Sequence, residues 1–262
     1  MMAALSISSD PRDARDAWND PPKTARHVVL PSRGTLLVSA GLHGDRDDFR
    51  ALRRLFVDAL ARDDEAHWVI LGDAACTLDD AGGESRAIEE SLAMLRELYP
   101  GRVHTLLGDR ALRRLRAGAD PSSVAHDPLA VVAPCGALLV HGSPDDRLDT
   151  LDELDRTPHA LGDMTERQRV IVESVITSCG QRPEVTARLL DKLSRRGPAL
   201  TMVIHGHDRD EAGWFSEGDN QLCPVLAGAP RENRRYLRLD LSARYQGVAA
   251  LRDGIEIVRL HP

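Results

Sequence analysis

Residues 103–110 read VHTLLGDR, an apolar run that ends in Gly-Asp and leads into Arg110. A short run rich in Val and Leu favours a buried strand that is followed by a turn. An aspartate after a strand is commonly a turn or N-cap residue, but the same side chain can also bind a metal ion. The rest of the chain has to decide which of these descriptions fits Asp109.

The composition is that of a globular protein, and it argues against nucleic-acid and membrane partners. The 262 residues are 42% hydrophobic and 29% charged, with a formal net charge of −7, whereas phosphate-backbone binders usually carry a basic face. The sequence contains no run of about 18 apolar residues, so it predicts no transmembrane helix. The first residues lack the apolar core of a secretory signal. Four scattered cysteines form no CxxC pair. We therefore expect reduced thiols and a cytoplasmic location.

The apolar segments of the first half predict an α/β protein. Strands are predicted at 27–30, 35–40, 67–73 and 102–109, and helices at 47–64 and 84–99. The order strand, helix, strand, helix, strand favours a parallel sheet with covering helices.

The second half predicts a mainly β layer after further helices. The predicted elements are a hairpin at 129–142, helices within 147–197 (the longer two at about 164–178 and 184–195), a strand at 200–207, and then a series of antiparallel strands that includes 247–253. Residues 1–24, rich in Asp, Pro, Arg and Ser, predict a flexible arm. No linker interrupts residues 25–262, so we expect one domain there.

Five of these apolar runs end in a polar residue near a glycine. The residues are His43, Asp73, Asp109, His141 and His207. Since ligands of open α/β sheets bind at the carboxyl ends of strands, these side chains are predicted to converge. Three imidazoles and two carboxylates form a mixed N/O set that suits Mn, Fe or Zn. Each residue alone is better explained as a turn or packed residue, and only the five together indicate a shared metal site.

The same blocks resemble the calcineurin-like metallophosphoesterases, and most of all their phosphoprotein (Ser/Thr) phosphatase branch. LHGDRDDF, VILGD and LLGDRAL resemble the family's GDxHG, GDxVDRG and GNHE blocks. VHGSP and VIHGH resemble its VHGG block and its last metal-binding histidine. The resemblance covers about residues 35–242. It implies the family's α/β fold, in which a central β-sandwich is flanked by helices.

The family binds two adjacent metals that share an aspartate, and the resemblance implies that Asp73 is this bridge. The second metal would also take Asp109, His141 and His207, with Asp109 standing where the family has asparagine. This ligand set is complete in the sequence. We expect one divalent metal (Mn, Fe or Zn) or none, because the first site is altered.

The altered positions belong to the first metal and to catalysis. By resemblance the first metal would take His43 and an aspartate, but Gly41 stands at the second position and offers no side chain. The presumed general-acid histidine falls on Arg110, its partner aspartate on Cys76, and a phosphate-binding arginine on Thr77. Arginine stays protonated and cannot shuttle a proton, and general acid catalysis is worth about 10²–10⁴ in rate. We expect no intact catalytic residue.

Two residues are candidates for binding phosphate. The guanidinium of Arg110 can bind phosphate bidentately, pair with Asp109 or another carboxylate, or lie solvated at the start of a helix. His205 stands where the family has an arginine ahead of the last metal ligand, so the resemblance implies an altered phosphate contact there.

Three functions remain open on the sequence. We favour a pseudophosphatase that acts as a binding or regulatory module with at most one metal, because the residues lost belong to one chemical step. The complete second ligand set supports an atypical one-metal phosphohydrolase instead. A purely structural or interaction protein would use the arm at 1–24 and the Arg-rich segment 110–116. The expected partner is a protein or a phosphorylated ligand, and activity is expected to be weak or absent.

Overall fold

The computed structural model describes residues 25–75, 84–120, 124 and 126–261, so the predicted arm at 1–24 lies outside the described residues. Within the described ranges, the helices and strands are β1 His27–Val29, β2 Thr35–Ser39, α1 Arg46–Leu60, β3 His67–Ile70, α2 Glu84–Leu98, β4 Val103–Thr105, α3 Asp109–Arg116, β5 Ala130–Ala133, β6 Ala137–Val140, α4 Asp152–Asp155, α5 Glu166–Thr177, α6 Pro183–Ser194, β7 Met202–Ile204, β8 Trp214–Glu217, β9 Gln221–Pro224, β10 Arg235–Asp240 and β11 Ile257–Arg259. The predicted helices are confirmed.

One sheet contains the predicted parallel strands. Its order is β11-β10-β2-β3-β4, with β2, β3 and β4 parallel and β10 and β11 antiparallel. Helix α1 begins after Asp45, whose carboxylate accepts two backbone N–H groups of the first turn. Its buried face places Phe49 and Phe56 against Trp68 of β3, with ring centroids 6.0 Å apart in both pairs.

The other sheet has the order β1-β5-β6-β7-β9-β8. The predicted hairpin is confirmed as β5 and β6, which pair antiparallel. Gly136 occupies the turn with φ 114°, a left-handed conformation that favours glycine. The strands after residue 207 are not all antiparallel to their neighbours, because β9 pairs antiparallel with β8 but parallel with β7.

The predicted strand at 247–253 is wrong, because Val248–Ala250 form a single 3-10 turn. Asp219, which lies in the loop before β9, binds this segment through two hydrogen bonds. Its backbone carbonyl accepts the N–H of Val248, and its carboxylate accepts the N–H of Ala249 at 2.5 Å. These hydrogen bonds satisfy two backbone N–H groups of the segment, and it does not join a sheet.

The two sheets pack face to face and enclose the central apolar core. Leu139 and Ile204 from one sheet belong to the same buried cluster as Val38 and Leu237 from the other. Separate clusters lie beneath α1 and α2 and beneath α5 and α6. The predicted architecture, a β-sandwich flanked by helices, is confirmed. In the part of the chain that the structure describes, the helices are too short or too polar to span a bilayer.

We expect Leu139→Ala to lower the free energy of unfolding by about 2–5 kcal/mol, because it leaves a cavity between the sheets where Leu139 is fully buried. Chemical denaturation measures the change. The matched control is Val29→Ala in β1, where Val29 is 51% exposed, and it should change stability by less than about 0.5 kcal/mol. Equal losses in the two variants would contradict this description of the core.

Candidate metal centre

Strand ends from both sheets meet at one cleft of about 320 Å³. His43, Asp73 and Asp109 follow β2, β3 and β4, while His141 and His207 follow β6 and β7. All five side chains line the cleft. The predicted convergence of these side chains is therefore observed, and their roles as metal ligands stay a prediction.

Three of the five residues form the tightest group. Asp109, His141 and His207 can each offer a ligand atom such that the three atoms lie within 4.8 Å of one another. The rings of His141 and His207 are 5.2 Å apart and lie at an interplanar angle of 64°. Imidazole and carboxylate groups at this spacing form a donor set that suits a divalent transition metal.

His141 is oriented for a ligand role by a backbone contact. Its Nδ1 lies 2.5 Å from the carbonyl oxygen of Leu71, and since a carbonyl only accepts, Nδ1 carries the proton. Its Nε2 is buried and finds no hydrogen-bond partner among the described residues. That atom lies 3.7 Å from Asp109 Oδ1 and 3.8 Å from Asp73 Oδ2. A buried, unpartnered imidazole nitrogen facing two carboxylates fits a metal ion.

Backbone strain and glycines hold the ligand candidates close together. His43 and Asp73 adopt left-handed φ values of 49° and 47°, which non-glycine residues rarely do outside functional sites. A Cβ atom at Gly108 would lie 2.1 Å from Asp73 Oδ1, and one at Gly72 would lie 2.5 Å from His141 Nδ1. Both positions therefore require glycine.

The cleft holds carboxyl groups of unequal acidity. Burial and the neighbouring Asp109 raise the pKa of Asp73 to about 7. The nearby imidazole of His141 holds the pKa of Asp109 well below its usual range. Burial lowers the pKa of His207, and it lowers the pKa of His43 to about 4, so both imidazoles are mainly neutral near pH 7, as metal ligation requires. A cation between the two carboxyls would relieve their repulsion.

Arg110 faces the cleft instead of solvent. Its backbone N–H donates to Asp73 Oδ1 at 3.3 Å, and its Nε lies 3.7 Å from Asp73 Oδ2. Only 15% of its side chain is exposed. Of the arrangements considered from the sequence, the solvated arginine is wrong and pairing with a carboxylate is observed. The partner seen here is Asp73, while Asp109 pairs with Arg113 one turn along α3.

Of the residues that depart from the family motifs, some line the cleft and others do not. Gly41 lines the cleft, where an added Cβ would lie 3.1 Å from His43 Nε2 and 3.2 Å from the Cβ of Asp73. His205 is fully buried and does not line the cleft, so its position gives no support to a phosphate-binding role. Cys76 and Thr77 lie outside the described residues.

Four charged or thiol-bearing residues that the sequence did not single out also line the cleft. They are Arg113, Cys179, Asp208 and Arg209. Arg113 could have been found, because it follows Asp109 by four residues in a predicted helix and that spacing supports an ion pair. Arg209 and Asp208 closely follow the candidate ligand His207. Cys179 carries no sequence signal, because it reaches the cleft from the loop between α5 and α6.

No protein-family model and no curated protein sequence matches the chain. Solved structures do match it. A protein serine/threonine phosphatase from Saccharomyces cerevisiae, similar to human phosphatase PP5, has a TM-score of 0.57 at 14% identity, over 82% of this chain and 77% of that chain. A cold-active protein-tyrosine phosphatase of a psychrophilic Shewanella species has a TM-score of 0.54 at 13% identity, over 83% and 80%.

These similarities show the fold. The chain shares the fold of these two phosphatases, two sheets with flanking helices, as its motifs predicted. Sequence identities of 13% and 14% are too low to transfer metal content or activity to this chain. These properties have to be inferred from the residues of the cleft itself.

We expect Gly108→Ala to weaken Mn²⁺ binding at least about tenfold, because the new methyl group would displace the Asp73 carboxylate from its position over Gly108. Equilibrium titration of the metal-free protein measures the affinity. Gly162→Ala makes the same change where an added Cβ meets no atom within 4 Å, and this control should bind Mn²⁺ as the wild type does. Wild-type affinity in Gly108→Ala would contradict the assignment of Asp73 as a ligand.

Proposed function

We propose that this chain is a pseudophosphatase, a protein of phosphatase fold that binds one divalent ion and a phosphorylated ligand but turns phosphate esters over slowly or not at all. The ligand would enter the cleft at the carboxyl ends of the strands. The chain would then act as a binding or regulatory module. A phosphorylated partner fits this proposal better than a nucleic acid, because the net charge of the chain is −7.

The observation that carries this proposal is the orientation of Arg110. In the resembling enzymes this position holds the proton donor for the leaving alcohol. Here the arginine side chain turns toward Asp73, with Nε 3.7 Å from its carboxylate. A guanidinium stays charged at ordinary pH and cannot deliver a proton to a leaving group. Loss of general acid catalysis alone is worth about 10²–10⁴ in rate.

Binding of one metal ion is supported by the remaining donor set. Asp73, Asp109, His141 and His207 would hold the ion, and the unpartnered Nε2 of His141 is the atom that most needs it. Mn, Fe and Zn all suit these donors. When bound, such an ion supplies Lewis-acid polarisation of a phosphoryl oxygen. The protein itself contributes the fixed orientation of His141, through Leu71.

Binding of a phosphorylated ligand is supported by the cations of the cleft. Arg110, Arg113 and Arg209 all line it, and guanidinium groups recognise phosphate oxygens through paired N–H donors. Arg113 and Arg110 already have carboxylate partners in Asp109 and Asp73. Arg209 lies two residues beyond His207, so its charge borders the candidate metal ligands.

An atypical one-metal phosphohydrolase is the second candidate function. The specific observation in its favour is the same donor group at Asp109, His141 and His207. One ion can activate a water molecule as well as orient a ligand. The two candidates agree on metal binding and differ in the rate of turnover, so they are separated by kinetics.

The test is hydrolysis of a phosphoserine peptide, whose alcohol leaving group needs a proton donor, by purified protein with added Mn²⁺, compared with the variant His141→Ala. We expect wild type and variant to turn over at rates within a few fold of each other, because Arg110 cannot donate the proton. The wild type is also expected to bind inorganic phosphate in the presence of Mn²⁺, and His141→Ala to bind it more weakly.

A wild-type rate about a hundredfold or more above that of His141→Ala would establish the phosphohydrolase and reject the pseudophosphatase. Failure of the wild type to retain Mn²⁺ in elemental analysis would reject both metal-dependent functions. Circular dichroism of His141→Ala is the control for folding, since His141 is buried.

A further inference from the structure

We propose that the guanidinium of Arg110 is a built-in substitute for a second metal ion, so that the chain holds one metal cation and one covalently attached cation. This inference rests on the proposed function in one respect, that the other ion binds at Asp109, His141 and His207. It goes further by assigning Arg110 a positioning role toward Asp73. It also explains why one ion would suffice where the resembling enzymes use two.

Arg110 contacts the carboxylate that two metals would otherwise share. Asp73 would be the ligand common to both ions, and its side chain has 2% of its surface exposed. Arg110 reaches this buried group twice, through its backbone N–H at 3.3 Å and through Nε at 3.7 Å from the other oxygen. A neighbouring positive charge favours the ionised form of a carboxylate buried in this way. The chain supplies one from its own helix α3.

Arg110 also acts on the other half of the first metal site. Its side chain and that of His43 line the same cleft. A fixed cation there repels a metal ion that would bind at His43. Gly41, His43 and Asp73 crowd together on this side of the cleft, with Gly41 within about 3 Å of both side chains if it carried a Cβ.

The balance of charge points the same way. Compared with the resembling motifs, Gly41 removes one negative charge and Arg110 adds one positive charge. Together the two changes make this side of the cleft more positive by two charges, which equals the charge of the divalent ion that the motifs would bind, while Asp109 in place of the family's asparagine adds one negative charge on the other side. Arg113 pairs with Asp109, so the carboxylate of Asp109 already has its own arginine and does not draw Arg110 away from Asp73.

A simpler explanation is that Gly41 alone prevents a second ion from binding, because it offers no ligand. The two explanations make opposite predictions for Gly41→Asp. If only the ligand is missing, restoring an aspartate restores the second site. If Arg110 occupies the role of the cation, the new carboxylate joins an ion pair with Arg110 and the second site stays closed.

The experiment therefore compares the wild type with Gly41→Asp, Arg110→Met and the double variant. Equilibrium dialysis against Mn²⁺ with elemental analysis gives ions per chain. We expect one ion in the wild type, in Gly41→Asp and in Arg110→Met. We expect two ions in the double variant, and its second site should bind Mn²⁺ at least about tenfold more tightly than any weak second binding detected in Gly41→Asp. Two ions in the wild type or in Gly41→Asp would overturn the proposal, as would a single ion in the double variant.

A second readout does not depend on any metal. In EDTA at alkaline pH, where Asp73 is ionised, Arg110→Met should lower the melting temperature, because Asp73 loses its cation, and Arg110→Lys should restore part of it. The matched control is Arg114→Met in the same helix, whose side chain is 53% exposed and lies 3.9 Å from Glu89. Equal melting temperatures for Arg110→Met and Arg114→Met would overturn the proposal. If no variant binds Mn²⁺, the proposed metal-binding function fails, and this comparison still decides the role of Arg110.

Discussion

The carboxylate of Asp73 is the group on which the cleft depends. It lies buried at the end of β3, where it contacts helix α3 through Arg110 and faces His141 from the other sheet. A left-handed backbone at Asp73 and a glycine at 108 let it sit there. A charge held this deeply is unfavourable without a partner. The surrounding side chains are therefore best understood by how each one compensates or shares that charge.

Because of this constraint, the two sides of the cleft contribute different groups. One side offers Asp109, His141 and His207, a donor group with an unpartnered imidazole nitrogen. The other side offers Arg110 beside Gly41, a fixed cation where a ligand is missing. The first arrangement favours binding, and the second removes the means to protonate a leaving group. The proposed pseudophosphatase would in this way keep recognition while losing turnover.

The sequence predicted most of the fold and the membership of the cleft, for reasons that can be named. Parallel strands bring their carboxyl ends to one edge of a sheet, so the order of the strands alone assigns His43, Asp73 and Asp109 to that edge. The segment 247–253 could not be predicted, because its conformation depends on Asp219, which lies about 30 residues earlier. The direction of the Arg110 side chain could not be predicted either. The local sequence is compatible with phosphate binding, with pairing to a carboxylate and with a solvated side chain. Tertiary contacts, and not local propensity, decide both cases.

The central claim is that the cleft combines a single metal ion with the guanidinium of Arg110. A crystal structure of the wild-type protein soaked in Mn²⁺, with anomalous scattering to locate the ions, tests it most directly. We predict one anomalous peak among Asp73, Asp109, His141 and His207, with the Arg110 guanidinium still facing Asp73. Two peaks on either side of Asp73, with Arg110 turned out to solvent, would contradict the claim.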